Sequence, residues 1–328
     1  MASPPTDRRR GADVGDLVER AAAGDPRAVA RLISLVESDS PALREVAAAL
    51  APRAGNAQVV GLTGSPGVGK STSTSALVSA LRADGKRVGV LAVDPSSPFS
   101  GGALLGDRIR MQDHATDDGV FIRSMASRGQ LGGLSAAVPQ ALRVLDAAGC
   151  DVVLVETVGV GQAEVEIASL ADTTVVLLAP GMGDGVQAAK AGILEVADVF
   201  VVNKADRDGA DQVARDLRYM QSLGGRHAAA GAWRPPIVKT VAVRSEGIDD
   251  VVAAIAKHAD WMQQHGELAR RRTARAATEI EAIALGQVRL RFEQVHGSAA
   301  LDAAAGRVVA GETDPYRAAD DLVGSLLN

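Results

Sequence analysis

The chain has 328 residues, 47% of them hydrophobic but only 2% aromatic. A sizeable core is therefore available, built from Val, Leu, Ile and Ala, and the lack of aromatics argues against a base-stacking surface for single-stranded nucleic acid. The formal net charge of −5 gives no overall basic field for nucleic acid or anionic membrane, and the single cysteine, Cys150, rules out an intrachain disulfide.

Residues 1–12 are rich in Pro, Arg and Gly and read as a flexible head. Arg8-Arg9-Arg10, like Arg270-Arg271-Arg272, reads as a solvated basic cluster. The head has no apolar stretch of a secretory signal, and a transit peptide is the alternative. No apolar run approaches the roughly 18 residues of a membrane span. Together with the lone cysteine this points to the cytoplasm. Residues 13–52 read as short helices, one begun by Asp25-Pro26 and another by Ser40-Pro41.

From residue 57 short Val/Leu-rich runs alternate with helical stretches. The strands are expected at 58–63, 88–93, 120–123, 151–155, 174–178, 199–202 and 237–241, with helices at 134–148, 186–197, 208–222 and 248–263. Alternation of this kind makes a buried, mostly parallel α/β sheet flanked by helices, with ligands beyond the C-terminal strand ends. After residue 264 the strand signals stop. Residues 264–295 read as one long helix with an apolar stripe of Ile280, Ala284, Val288, Phe292 and Val295, broken by Gly297-Ser298. Further helices begin near Ala299 and at Asp314-Pro315. The expected organisation is a tail and helical extension (1–55), a nucleotide-binding domain (56–263) and a C-terminal helical arm (264–328).

The first strand runs into Gly64-Ser65-Pro66-Gly67-Val68-Gly69-Lys70-Ser71, which fits the P-loop pattern in its strand–loop–helix context. The glycines let backbone N–H groups turn toward a phosphate at a helix N-terminus. Lys70 then reaches the β- and γ-phosphates, and Ser71 offers its hydroxyl to Mg²⁺. Four later segments extend this. Asp94 ends the second strand, and Asp107 lies in a Gly-rich loop; with Ser71 they are oxygen ligands of the kind Mg²⁺ takes, although a solvated loop aspartate is the alternative for Asp107. Glu156 ends a buried strand, where it serves a metal's water shell or an attacking water, or simply caps the strand. Gly159 lets its N–H approach a γ-phosphate. The residue after that glycine is Val160 rather than a water-orienting Gln, so slow intrinsic hydrolysis that a partner can change is expected. The stretch 179–190, with three glycines, is a candidate switch loop or an ordinary mobile linker. Asn203-Lys204-Ala205-Asp206 follows another strand, where Asp206 accepts from guanine N1–H and its 2-amino group; adenine leaves that carboxylate unpaired.

Thr63–Thr72, Asp94–Asp107, Glu156–Glu166, Pro180–Asp198 and Thr313–Ala319 together resemble the P-loop GTPases of the methylmalonyl-CoA mutase-associated chaperone group, MeaB, also called ArgK, relatives of the cobalamin-A protein. The resemblance covers nearly the whole chain. It implies a GTPase domain with an N-terminal helical extension and a C-terminal dimerisation arm. It also implies GTP or GDP as ligand, Mg²⁺ and switching at Asp94, Asp107 and Glu156, and an extra switch loop carrying Gln187 and Lys190 as catalytic candidates alongside Lys70. Thr72 joins the phosphate contacts, and Val241-Ala242-Val243 forms the guanine loop. Many members have Ser-Ala there; Val241 removes the serine hydroxyl and leaves a backbone contact from Ala242 to guanine O6. The function implied is a GTP-driven chaperone that gates adenosylcobalamin loading of methylmalonyl-CoA mutase and reactivates it, without a cobalamin site of its own. Two alternatives carry less support from the residues. A metal-insertion GTPase usually shows His tracts or paired cysteines, whereas the five histidines here are scattered over surface or helix positions. A kinase of amino-acid transport proteins lacks its catalytic-loop motif here.

Overall fold

The computed structural model describes residues 13–38, 40–95, 111–114, 116–127, 137–157, 163–181, 194–223, 231–293 and 299–327. The chain divides into two compact units, Met1–Leu268 and Ala269–Asn328.

The first unit is built on a seven-stranded parallel sheet: β1 (Gln58–Thr63), β2 (Val88–Pro95), β3 (Val120–Ser127), β4 (Val152–Thr157), β5 (Thr173–Leu178), β6 (Val199–Val202) and β7 (Ile237–Lys239). Their order is β3-β2-β4-β1-β5-β6-β7. Every residue of β4, β5 and β6 is buried, because helices cover both faces of the sheet; the strands therefore read as continuous Val/Leu runs rather than alternating ones. One face carries α1 (Val14–Ala22), α2 (Pro26–Glu37), α3 (Leu43–Leu50), α5 (Ala137–Ala147) and α6 (Ala163–Leu170). The other carries α4 (Lys70–Ala83) and α8 (Ile248–Gln264), while α7 (Ala210–Leu223) packs beside β5 and β6. The N-terminal helices share one apolar core with the sheet: Leu17, Leu32 and Ile33 lie in the same cluster as Leu91, Val153 and Leu145. At Gly61 a Cβ would stand 2.9 Å from Ile167 and 3.0 Å from Ala171, so the glycine sets how closely α6 lies on β1.

The Asp25-Pro26 start holds: Asp25 Oδ1 accepts from the N–H groups of Arg27 (2.8 Å) and Ala28 (3.4 Å). Asp314 caps α11 (Pro315–Leu327) in the same way. Two expected elements differ. The helix expected from 264 is instead the end of α8 and a separate α9 (Glu267–Glu293), because Gly266 sits at φ +68 and stops α8. The strand expected to reach Val241 is assigned only to Lys239: Thr240 still donates to the Val202 carbonyl, but Val241 pairs back on Glu246 and the Ala242 N–H bonds Asn203.

His258 is a helix position, as its sequence context implies, but it is wholly buried. Its Nδ1 lies 2.9 Å from Thr173 Oγ1 and its Nε2 3.3 Å from Asp198 Oδ1, and it packs between Trp233 and Trp261. Cys150 is buried before β4, where desolvation pushes its thiol up to about 11, so it stays protonated and unreactive near neutral pH.

The second unit holds most of α9 with α10 (Ala299–Val309) and α11. Among its described residues Ala304 and Ala318 are buried, whereas Ile280, Ile283, Leu285, Val288 and Leu290 are exposed. No helix among the described residues is long and apolar enough to cross a membrane.

Candidate functional site

The polar motifs gather at the C-terminal edge of the sheet, after β1, β4 and β6, as the parallel register requires. The loop between β1 and α4 turns on Gly64 (φ +144), Gly67 (φ +81) and Gly69 (φ +97). A Cβ on Gly64 would strike the Leu177 carbonyl, and one on Gly69 would strike Asn203 Nδ2. Here glycine is required by close approach as well as by backbone conformation. Val68 anchors the loop in the core, at 1% exposure.

Lys70 opens α4 and is buried. Its ammonium spans the loop, donating to the carbonyls of Gly64 (2.6 Å) and Ser65 (3.2 Å). One residue on, the Ser71 hydroxyl donates to Glu156 Oε1 at 2.6 Å. Thr74 Oγ1 lies 3.0 Å from both Glu156 Oε2 and the Lys70 carbonyl. Glu156, 3% exposed at the end of β4, is thus gripped by two hydroxyls of α4. Ser71 and Glu156 offer adjacent hard oxygen donors, which suits Mg²⁺ beside a triphosphate. Among the described residues no three His, Cys, Asp or Glu side chains form a metal cluster.

Asn203 has a part in the fold beside the role its motif implies. It is buried; its Nδ2 donates to the Val68 carbonyl (2.9 Å), and its Oδ1 accepts from Thr240 Oγ1 and the Ala242 N–H (both 3.1 Å). It is a brace that ties the P-loop to the turn after β7. The Ala242 N–H, expected from the resemblance to meet guanine O6, donates to Asn203 Oδ1 in this structure. The Val243 N–H, next in the same turn, meets no acceptor among the described residues. Lys204 adopts the left-handed conformation (φ +57) and reaches back across the P-loop to the Gly67 carbonyl at 2.6 Å.

Asp206 faces an open recess of about 260 Å³, lined also by Thr240, Val241, Arg244 and Glu246. Arg244 Nη1 stands 3.5 Å from Asp206 Oδ2, while its Nε donates to Glu246 Oε1 at 2.7 Å. Glu246 foremost, then Asp206, raises the Arg244 guanidinium above its ordinary value. Asp107, Gly159, Gln187 and Lys190 lie outside the described residues, as does the side chain of Asp94, whose backbone ends β2. Pro66 and Thr72 sit in the P-loop and the first turn of α4, where the motif places them.

Sequence reading missed Thr74, Thr240 and Arg244. Thr74 was detectable: it follows Ser71 by three positions on the same helix face. Thr240 meeting Asn203 and Arg244 approaching Asp206 have no local signal, because each pair is more than thirty residues apart in sequence.

A family profile described as "Methylmalonyl Co-A mutase-associated GTPase MeaB" matches residues 29–296. The chain belongs to the MeaB family of GTPases. Relatives include a Pyrococcus abyssi protein provisionally named a GTPase, 48% identical over 314 residues and covering 96% of this chain and 97% of its own. The GTPase ArgK of Escherichia coli is 38% identical over 263 residues, covering 78% and 79%. A crystal structure titled LAO/AO transport system kinase superposes with a TM-score of 0.71 at 28% identity, covering 97% of this chain and 99% of that one. MeaB-family membership makes the chain a GTPase and fits a P-loop at the C-terminal edge of a parallel sheet.

Proposed function

We propose that this MeaB-family GTPase is a chaperone of methylmalonyl-CoA mutase, using GTP to gate adenosylcobalamin loading and to protect or reactivate the mutase. The family match carries this reading. In it, Lys70 exchanges its bonds to the Gly64 and Ser65 carbonyls for charge-assisted bonds to the β- and γ-phosphates. Asp206 accepts from guanine N1–H and the 2-amino group, and the Val243 N–H donates to O6. Mg²⁺ would be held by Ser71 and Glu156, with Asp94 and Asp107 adding carboxylate oxygens directly or through water, and it would supply charge neutralisation at the phosphates. Gly159 would meet the γ-phosphate, and Gln187 and Lys190 would act from the 179–190 loop.

Nucleotide state controls a partner only if the partner binds the two states with different free energy. The Ser71–Thr74–Glu156 cluster supports such coupling: it joins the phosphate loop to the end of β4, so a change at the phosphates reaches the segment that follows. A homodimer through the C-terminal arm is part of the same proposal, supported by the exposed Ile280, Ile283 and Val288 on α9. The test is GTP turnover with and without purified methylmalonyl-CoA mutase, paired with mutase capture in GTP and in GDP. Turnover altered by the mutase and capture that differs between nucleotides is expected. Failure to bind the mutase in any nucleotide state overturns the chaperone reading and leaves the GTPase intact.

A further inference from the structure

Thr74 is wholly buried in the second turn of α4. Three and four residues on, along the same helix face, Leu77 and Val78 enter the apolar core. An apolar side chain would suit position 74 equally well, and a buried hydroxyl costs free energy unless it is bonded. Its one hydrogen has two acceptors within reach, the Lys70 carbonyl and Glu156 Oε2, each at 3.0 Å. The bond to the carbonyl is the ordinary back-bond of a helical threonine, and on that bond alone Thr74 would be a local feature of the helix. The Lys70 carbonyl is already served, because the α4 ladder brings the Thr74 N–H to it. The carboxylate is the stronger acceptor of the two, since charge-assisted hydrogen bonds are roughly twice as strong as neutral ones.

Glu156 is therefore held at two points. Ser71 fixes Oε1 at 2.6 Å and Thr74 fixes Oε2 at 3.0 Å, so the carboxylate is set in both position and rotation. The two holds are unequal in one respect. Ser71 Oγ is itself a candidate metal ligand, so its contact with Glu156 must adjust when a metal is bound. Thr74 is enclosed and is free to keep its bond.

We propose, on the reading of Ser71 and Glu156 as metal residues, that Thr74 is a positioning residue for Glu156. Its hydroxyl keeps the carboxylate oriented while Ser71 turns to Mg²⁺, and in this way it sets how tightly the metal is held beside the nucleotide. Without the hydroxyl, Glu156 has to be ordered at the moment of metal binding, and metal affinity falls about five-fold.

The test uses the whole protein in its stoichiometric complex with GDP. Mn²⁺ is the probe in place of Mg²⁺, and free Mn²⁺ is read by electron paramagnetic resonance. Thr74→Val replaces the hydroxyl by a methyl group, and Thr74→Ala removes it without adding bulk. Both should weaken Mn²⁺ binding about five-fold, and Thr74→Ser should restore most of the affinity. GDP affinity in EDTA separates positioning from packing, because a disturbed α4 would lower it as well. Mn²⁺ affinity equal to the parent's in Thr74→Val and Thr74→Ala, no rescue by serine, or an equal fall in metal-free GDP affinity would each overturn the proposal. Glu156→Gln distinguishes this failure from failure of the metal reading. It should weaken Mn²⁺ more than Thr74→Val does, and Thr74→Val added to it should cost nothing further. Unchanged Mn²⁺ affinity in Glu156→Gln would remove Glu156 from the metal and the proposal with it. A loss in Glu156→Gln with none in Thr74→Val would remove Thr74 alone.

Discussion

The phosphate loop and the guanine corner share one edge of one sheet, yet they are built in opposite ways. At the loop, Lys70 and Ser71 are each 7% exposed and Glu156 is 3% exposed, and each is held by protein oxygens. At the corner, the side chains of Asp206 and Arg244 are 40% and 50% exposed and stand 3.5 Å apart. In the proposed reading, phosphate binding rests on groups that also order the fold, while the choice of base rests on a solvated carboxylate. Asn203 belongs to both, holding the Val68 carbonyl on one side and Thr240 and Ala242 on the other.

Four substitutions separate the two regions. The largest effect is expected at Asp206→Asn, which reverses the hydrogen-bonding sense toward the base. Preference for GTP over XTP should fall by about 10⁴ in competition binding, with thermal stability unchanged. An unchanged ratio would remove Asp206 from base recognition. Lys70→Ala should lower the GTP hydrolysis rate by about 10²–10³ in single-turnover assays, through lost stabilisation of phosphate charge. Asn203→Ala strands the Val68 carbonyl, the Thr240 hydroxyl and the Ala242 N–H in a buried region. A loss of about 3 kcal/mol in denaturant unfolding is expected, alongside weaker GTP binding. Stability equal to that of the parent would mean the brace carries no load. Smallest is Arg244→Ala. It frees Asp206 from an exposed ion pair, so GTP affinity should change by no more than about five-fold, and less at high salt. A larger loss would place Arg244 on the nucleotide itself.

The distinction between the two regions also governs what the sequence disclosed. Gly64–Ser71 announced the loop because a P-loop is contiguous and each glycine has a local backbone reason. The strands were legible because burial on both faces makes them uninterrupted Val/Leu runs. A boundary slipped where tertiary bonds intervened: after Thr240 the chain turns, with Val241 pairing Glu246 and the Ala242 N–H bonding Asn203. Asn203 was placed at the end of a strand by its sequence position, which gave no sign of its bonds to Val68, Thr240 and Ala242. His258 is similar. Nothing local distinguishes it from the other four histidines, and only the packing of Trp233 and Trp261 reveals it as a core residue.

The sequence by itself determined the strand–helix alternation, the P-loop turn after β1, the Asn-Lys-x-Asp turn after β6 and membership in the MeaB family. Each is a short-range pattern fixed by covalent spacing and backbone sterics. Only the tertiary structure decided that Glu156 answers Ser71 across 85 residues and that Asn203 answers Val68 across 135. Those relations follow from the strand order β2-β4-β1-β5-β6, and a parallel sheet sets that order through its helical crossovers rather than through sequence proximity.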